Sequence, residues 1–128
     1  MSFVLGRTSL HRLEGVHRDL VRVVKHAIRI TPIDFTVLEG LRTPQRQAEL
    51  VREGASKTLK SRHLTGHAVD LAPLIGGAVS WDWPLYHRLA PAVKAAAAAE
   101  GVTIEWGGDW RTFKDGPHWQ LPWDRYPS

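Results

Sequence analysis

Ser61-Arg62-His63-Leu64-Thr65-Gly66-His67-Ala68-Val69-Asp70 is the stretch on which the reading of this chain turns. It places two histidines and an aspartate close together, with a glycine between them. From His67 onward, Ala68-Val69-Asp70-Leu71 leads into Pro73 and the Gly76-Gly77 pair, which predicts a strand closed by a turn. In a strand, side chains alternate between faces. His67 and Val69 then share one face, and Ala68 and Asp70 the other. His67 and Asp70 are therefore poor partners for one ion. His63 can return to Asp70 if Leu64-Thr65-Gly66 turns, which Gly66 allows. A helical pair of His63 and His67 is disfavoured by Thr65 and Gly66, and no Glu follows His63 as a zinc-binding helix of that spacing requires.

Upstream, Leu10, Leu13, Val16, Leu20, Val24 and Ala27 recur at helical spacing. The pattern predicts one helix from about Leu10 to Ile30 with Ser9 as its N-cap. Thr31-Pro32 ends it, because a residue before proline is pushed out of the α region. Asp34 to Leu38 reads as a strand with Phe35 and Val37 on one side, closed by Gly40. Thr43-Pro44 opens a second helix that runs to about Arg52, and residues 55–62 form a polar loop. Downstream, Ser80 or Asp82 caps a helix over about Pro84 to Glu100. Pro91 inside it predicts a kink or two pieces, and Gly101 is its stop. Val102 to Trp106 and His118 to Leu121 read as further strands. The expected architecture is α+β, a small antiparallel sheet with helices packed on one side.

The chain has 128 residues, which suits one domain, and 43% hydrophobic content argues against disorder. Cysteine is absent, which excludes disulfides and thiolate metal sites. A metal must then sit on His and carboxylate, the donor set of catalytic rather than structural zinc. The net charge is +4. The Lys and Arg residues are dispersed, which ranks an anionic cell wall above nucleic acid as a partner. No apolar run approaches the ~18 residues that a membrane span needs. Met1 to Arg7 hold too short an apolar run for a secretory signal, so the chain reads as made in the cytoplasm.

The candidate ligands are His63, His67, Asp70, Asp109, Asp115 and His118, with His87 further off. Zinc in a hydrolase takes three protein ligands and leaves a position for water. Taken singly, each residue has an ordinary structural use. His63 suits a loop histidine bonded to backbone, Asp70 a buried carboxylate or strand-end cap, and His118 a strand histidine beside Trp119. Asp115-Gly116 is also a common turn dipeptide. Six tryptophans suit core packing and sugar stacking alike. His11, His17 and His26 fall on predicted helices with His87 and read as structural or exposed.

As a set, these residues resemble the zinc D-Ala-D-Ala carboxypeptidase/endopeptidase family, which shares its fold with the Hedgehog signalling domain. The signature Ser-x-His-x-x-Gly-x-Ala-x-Asp is met at Ser61, His63, Gly66, Ala68 and Asp70. A second signature, an acidic residue three positions before a His, is met at Asp115 and His118. A third, an Arg followed by Gln at a helix start, is met by Arg42 and Gln47 within Gly40-Leu41-Arg42-Thr43-Pro44-Gln45-Arg46-Gln47. The likeness is strongest to bacteriophage endolysins that cut the L-alanyl-D-glutamate bond. It is carried by Gly40-Leu41-Arg42-Thr43, by the opening stretch and by Glu105-Trp106-Gly107-Gly108-Asp109-Trp110, and it covers about residues 30–121. Carboxypeptidase and dipeptidase branches carry Glu where this chain has Asp115, and the shorter base leans towards the L-Ala-D-Glu bond.

The resemblance implies a Hedgehog/DD-peptidase-like fold and one Zn2+ held by His63, Asp70 and His118. It implies Asp115 as the base that takes a proton from water and passes it to the leaving amine. Arg42 is implied as a donor to the scissile carbonyl or to a stem carboxylate. Ser61, Gln47 and Trp106 are expected at the substrate. Glu105 and Asp109 are either orienters of the ligands or plain surface carboxylates. The expected partner is the peptidoglycan stem peptide, met by a monomer with no nucleic-acid or stable membrane association. Residues 1–128 read as a single catalytic domain without a wall-binding module, reaching the wall through holin-type release. The alternatives are a D,D- or L,D-carboxypeptidase of the same family and a non-catalytic zinc-binding module.

Overall fold

The computed structural model describes residues 2–56 and 58–127. Met1, Ser128 and Lys57, the last within the polar loop expected over 55–62, lie outside the described residues. Among the described residues, five strands form the sheet: β1 (Phe35–Glu39), β2 (Ala68–Ile75), β3 (Ala78–Val79), β4 (Glu105–Trp106) and β5 (His118–Gln120). Their order is β1-β2-β5-β4, with β3 paired to the end of β2, and every ladder is antiparallel. The strand expected from His67 to Leu71 extends to Ile75, while that expected over Val102 to Trp106 shortens to two residues.

Alternation along these strands separates a core face from a site face. Phe35, Val37, Val69, Leu71 and Trp119 are at most 2% exposed and belong to the core. Asp70, His118 and Gln120 occupy the alternate positions on the other face. The core is completed by α2 (Arg18–Ile30) through Leu20, Val23, Val24, Ala27 and Ile28, and by α4 (Trp83–Glu100) through Leu89, Ala90, Val93, Ala96 and Ala97. Burying each large apolar side chain stabilises the fold by about 1.5–3 kcal/mol. Among the described residues, no helix is long and apolar enough to cross a membrane.

The single helix expected from Leu10 to Ile30 is two helices, α1 (Arg7–Arg12) and α2. Gly15 lies between them at φ +82°, a left-handed conformation that no helix passes through. The apolar spacing crosses the break because Leu13 and Val16 in the connection are buried in the same core as α2. Ser9 is not a cap. It is buried within α1, where its hydroxyl lies 2.9 Å from Thr36 Oγ1 and accepts from the Val37 N–H at 3.0 Å. The cap of α2 is His17, whose Nδ1 accepts from the Asp19 N–H at 3.1 Å.

The third helix, α3 (Pro44–Arg52), starts as expected, with Thr43 accepting from the Arg46 N–H at 3.1 Å. Pro91 does not divide α4, which is one helix from Trp83 to Glu100. The lost N–H is outweighed by burial on both sides of the proline, at Leu89 and Ala90 before it and at Val93, Ala96 and Ala97 after it. Gly101 ends the helix in the left-handed conformation expected of it.

Candidate metal centre and active site

The His63 side chain is delivered by a 3-10 turn, Arg62–Thr65, that occupies part of the segment expected as loop. Ser61 caps this turn, accepting from the His63 N–H at 3.2 Å, and Gly66 ends it at φ +77°. A Cβ on Gly66 would strike the Gly15 carbonyl, and the His17 N–H donates to the Gly66 carbonyl at 2.8 Å. The turn is thus docked on the break between α1 and α2. It sends His63 back towards β2, while His67 departs with its Nδ1 2.6 Å from Thr65 Oγ1 and its ring against His17.

Asp70 and His118 are cross-strand partners in the register of β2 and β5. Among the described residues, His63, Asp70 and His118 form a group whose ligand atoms all lie within 4.8 Å of one another. His63 Nε2 is 3.2 Å, and His118 Nδ1 3.5 Å, from the same oxygen, Asp70 Oδ1. The other ring nitrogens are occupied. His63 Nδ1 lies 2.8 Å from the Gly40 carbonyl, which can only accept, so Nδ1 carries the proton. Gln120 Nε2 donates to Glu105 Oε2 at 3.3 Å, which turns Gln120 Oε1 to His118 Nε2 at 2.7 Å and assigns a proton there too. Both inward nitrogens of the neutral imidazoles are therefore bare lone pairs facing a carboxylate. That arrangement is repulsive unless a cation lies among the three, either a proton on an imidazole or a metal ion. The donor set fits a zinc ion.

The electrostatics of the metal-free protein follow from this geometry. Burial opposes ionisation of Asp70, but hydrogen bonds from His118 and His63 and their charges prevail and hold its carboxyl below the usual range. Burial likewise opposes charge on His118, yet the bond to Asp70 and its charge raise the imidazole above its ordinary value. Asp115 is shifted the other way from Asp70. Burial and the Asp70 charge raise its carboxyl, against the pull of His118, His63 and Arg42. A half-buried carboxylate with raised proton affinity is suited to general-base work.

Asp115 and His118 belong to one loop-to-strand unit, joined by the His118 N–H to Asp115 carbonyl bond at 3.2 Å. Asp115 N–H donates to Gly107 O at 3.0 Å, seating that unit on the 3-10 turn Gly107–Asp109. Both residues line an open cleft of about 860 Å³ with Arg42, Ser61, His63 and Asp70. Arg42 is held beside Asp70. Its Nε donates to Glu39 at 2.9 Å, its Nη1 to Gln47 Oε1 at 2.7 Å, and its Nη2 lies 3.9 Å from Asp70 Oδ2. Its backbone N–H also donates to the His63 carbonyl at 2.9 Å.

Gln47 and Trp106 are placed elsewhere than on the cleft wall. Gln47 is 1% exposed, and its amide is used by Arg42, Ser56 and Thr58. Trp106 is buried, stacks on Trp119 at 5.6 Å and donates to the Gly116 carbonyl at 2.7 Å. Asp109 pairs with Lys94 at the surface, whereas Glu105 reaches His118 through Gln120. His87 packs edge-on against Trp106. The sequence reading missed Gly40, Glu39 and Gln120. Gln120 was findable, since it stands two residues after His118 on a strand and so shares its face.

Fold and site together define a small α+β hydrolase built around a His–Asp–His triad with the Asp115 carboxylate in the same cleft. The sequence profile of phage L-alanyl-D-glutamate peptidases matches residues 1–120, and the chain belongs to this family. The L-alanyl-D-glutamate peptidase of Escherichia phage T5 is 34% identical over 119 residues, 90% of this chain and 87% of the relative. That of Listeria phage A118 is 40% identical over 94 residues, which are 73% of this chain but 32% of the longer relative. The crystal structure of the L-Ala D-Glu endopeptidase ChiX of Serratia marcescens matches with a TM-score of 0.92 at 51% identity, covering 98% of this chain and 95% of that one.

Proposed function

We propose that the protein is a zinc-dependent endolysin that hydrolyses the L-alanyl-D-glutamate bond of the peptidoglycan stem peptide. The observation that carries the reading is the convergence of His63 Nε2, Asp70 and His118 Nδ1 within 4.8 Å, with Asp115 in the same cleft. His63, Asp70 and His118 would hold one Zn2+ through the atoms that their outer hydrogen bonds leave free. When bound, zinc supplies Lewis acidity that makes water a nucleophile near neutral pH. Asp115 accepts the proton of the attacking water and returns it to the leaving D-glutamyl amine. Arg42, fixed by Glu39 and Gln47, presents its guanidinium beside Asp70, where it favours negative charge developing on the scissile carbonyl. Ser61 lines the cleft and holds the His63 turn.

The net charge of +4 suits an anionic wall polymer. The chain acts as one catalytic unit on the cell wall after release from the cytoplasm. The test is mass spectrometry of products from purified peptidoglycan, with chelator and then with zinc restored. The expected result is zinc-dependent appearance of stems beginning at D-Glu. Release of terminal D-alanine alone would instead make the enzyme a carboxypeptidase of the same fold.

A further inference from the structure

We propose that Trp123 is a saccharide platform whose exposed indole face holds the N-acetylmuramyl sugar that carries the stem peptide. The inference rests on the L-Ala-D-Glu reading above. In peptidoglycan, L-Ala is amide-linked to the lactyl group of the muramyl sugar, so one amino acid separates the scissile bond from a sugar ring. A productive complex therefore brings that sugar within one residue's reach of the reacting bond.

Among the described residues, Trp110, Phe113 and Trp123 are the Phe, Tyr or Trp side chains lining the cleft. The Trp110 ring lies 5.1 Å from that of His118, which places it at the reacting bond. Phe113 is two positions before Asp115, on the loop that serves the leaving D-glutamyl amine. Trp123 remains for the acyl side, where the sugar is. Its ring centre is 4.1 Å from the Arg62 guanidinium carbon, and Arg62 precedes His63 in the same 3-10 turn. Trp123 therefore stands on the wall of the same cleft, beside the turn that delivers His63, and this is the side on which the proposal puts the sugar.

The platform is built in advance. Arg62 is 2% exposed and clamps the segment carrying Trp123, donating to the Leu121 carbonyl from Nε at 3.1 Å and from Nη2 at 2.9 Å, and to the Tyr126 carbonyl at 2.6 Å. Among the described residues its Nη1 is buried without a hydrogen-bond partner, and the indole ring lies against this guanidinium. With one face backed by this cation, Trp123 is still 47% exposed. An amphipathic ring held this way presents an apolar plate to the C–H face of a sugar at little cost in side-chain entropy.

The experiment compares kcat/KM on a disaccharide-linked stem peptide with that on the same peptide without sugar. The wild type is expected to prefer the glycosylated substrate. Trp123→Ala is expected to lower that preference about tenfold, while Trp123→Phe keeps most of it. Trp81→Ala, at an exposed tryptophan outside the cleft, is expected to keep the wild-type preference. No preference in the wild type, or an unchanged preference in Trp123→Ala, overturns the proposal. Should Trp123→Ala not fold, NMR decides: the peptide-free disaccharide is expected to shift the Trp123 indole N–H, assigned by its loss in Trp123→Phe, and no shift overturns it. Cleavage of neither substrate at the L-Ala-D-Glu bond overturns the functional reading itself.

Discussion

Asp70 and His118 stand directly opposite each other across the ladder of β2 and β5. In an antiparallel pair, opposed residues share a face with their Cβ atoms about 4.5–5.5 Å apart. This register brings together two residues nearly fifty positions apart in the chain. Asp115 enters the cleft through the same ladder, because the loop it ends runs straight into His118.

The proposed ligand and the proposed base can be told apart by substitution. His118→Ala is expected to abolish both zinc binding and wall lysis. Asp115→Asn is expected to bind zinc normally and lose about 10²–10⁴-fold in kcat. Zinc content after dialysis and kcat/KM on purified peptidoglycan check the pair. Full activity in Asp115→Asn would remove it from the role of base.

Gln120 supports His118 from behind, with its amide turned by Glu105. Gln120→Leu removes the acceptor that fixes the His118 tautomer while keeping a similar volume. Zinc affinity is expected to fall about 10–100-fold. Activity at saturating zinc should suffer less than affinity. Competition with a chromogenic chelator measures the first quantity and hydrolysis with added zinc the second.

The metal-free protein has a predictable pH dependence. His118 is raised in the folded state, so its contribution to stability is complete below the ordinary histidine value of about 6.5 and is lost as pH rises through the folded value. Asp70 is lowered, so its contribution is present above the ordinary value near 3.9 and is lost as pH falls. The chelated wild type should therefore exceed His118→Gln in melting temperature most clearly near pH 5–6, and by less at pH 8. Zinc reverses the trend, because a metal takes the nitrogen that the proton leaves, and its stabilisation grows with pH. Thermal melts from pH 5 to 8.5 with chelator or with zinc test both statements. A flat difference between the two chelated proteins would contradict them.

Much of this arrangement was legible in the chain. Period-2 alternation separates His67 from Asp70, and the structure puts His67 against His17 and Thr65 instead. Gly66 does turn His63 back. The break at Gly15 was hidden because the apolar spacing of Leu13, Val16 and Leu20 runs through it, and burial of those side chains does not require a continuous helix. Pro91 misled in the other direction, since local propensity cannot weigh the packing on its two sides. Gly40 was read as a strand end, but its use is as the acceptor for His63 Nδ1. A backbone carbonyl has no residue type to advertise that role.

Gly107 is closely approached by both Asp115 and His118. A Cβ built there would overlap the Asp115 carbonyl oxygen and would lie 3.0 Å from Asp115 Cβ and 3.1 Å from His118 Cβ. Both neighbours are held by the bonds that seat Asp115 on Gly107 and tie it to His118, so neither can retreat alone. Gly107→Ala should therefore move Asp115 and His118 together. The overpacking is expected to cost about 1–3 kcal/mol of stability. Activity should fall further than that cost predicts, because the enzyme that remains folded would carry a displaced Asp115. Urea unfolding and kcat/KM, measured on the same zinc-loaded sample well below the melting temperature, separate the two effects. Loss of stability with unchanged kcat/KM would mean that the loop accommodates the methyl group without disturbing Asp115 or His118.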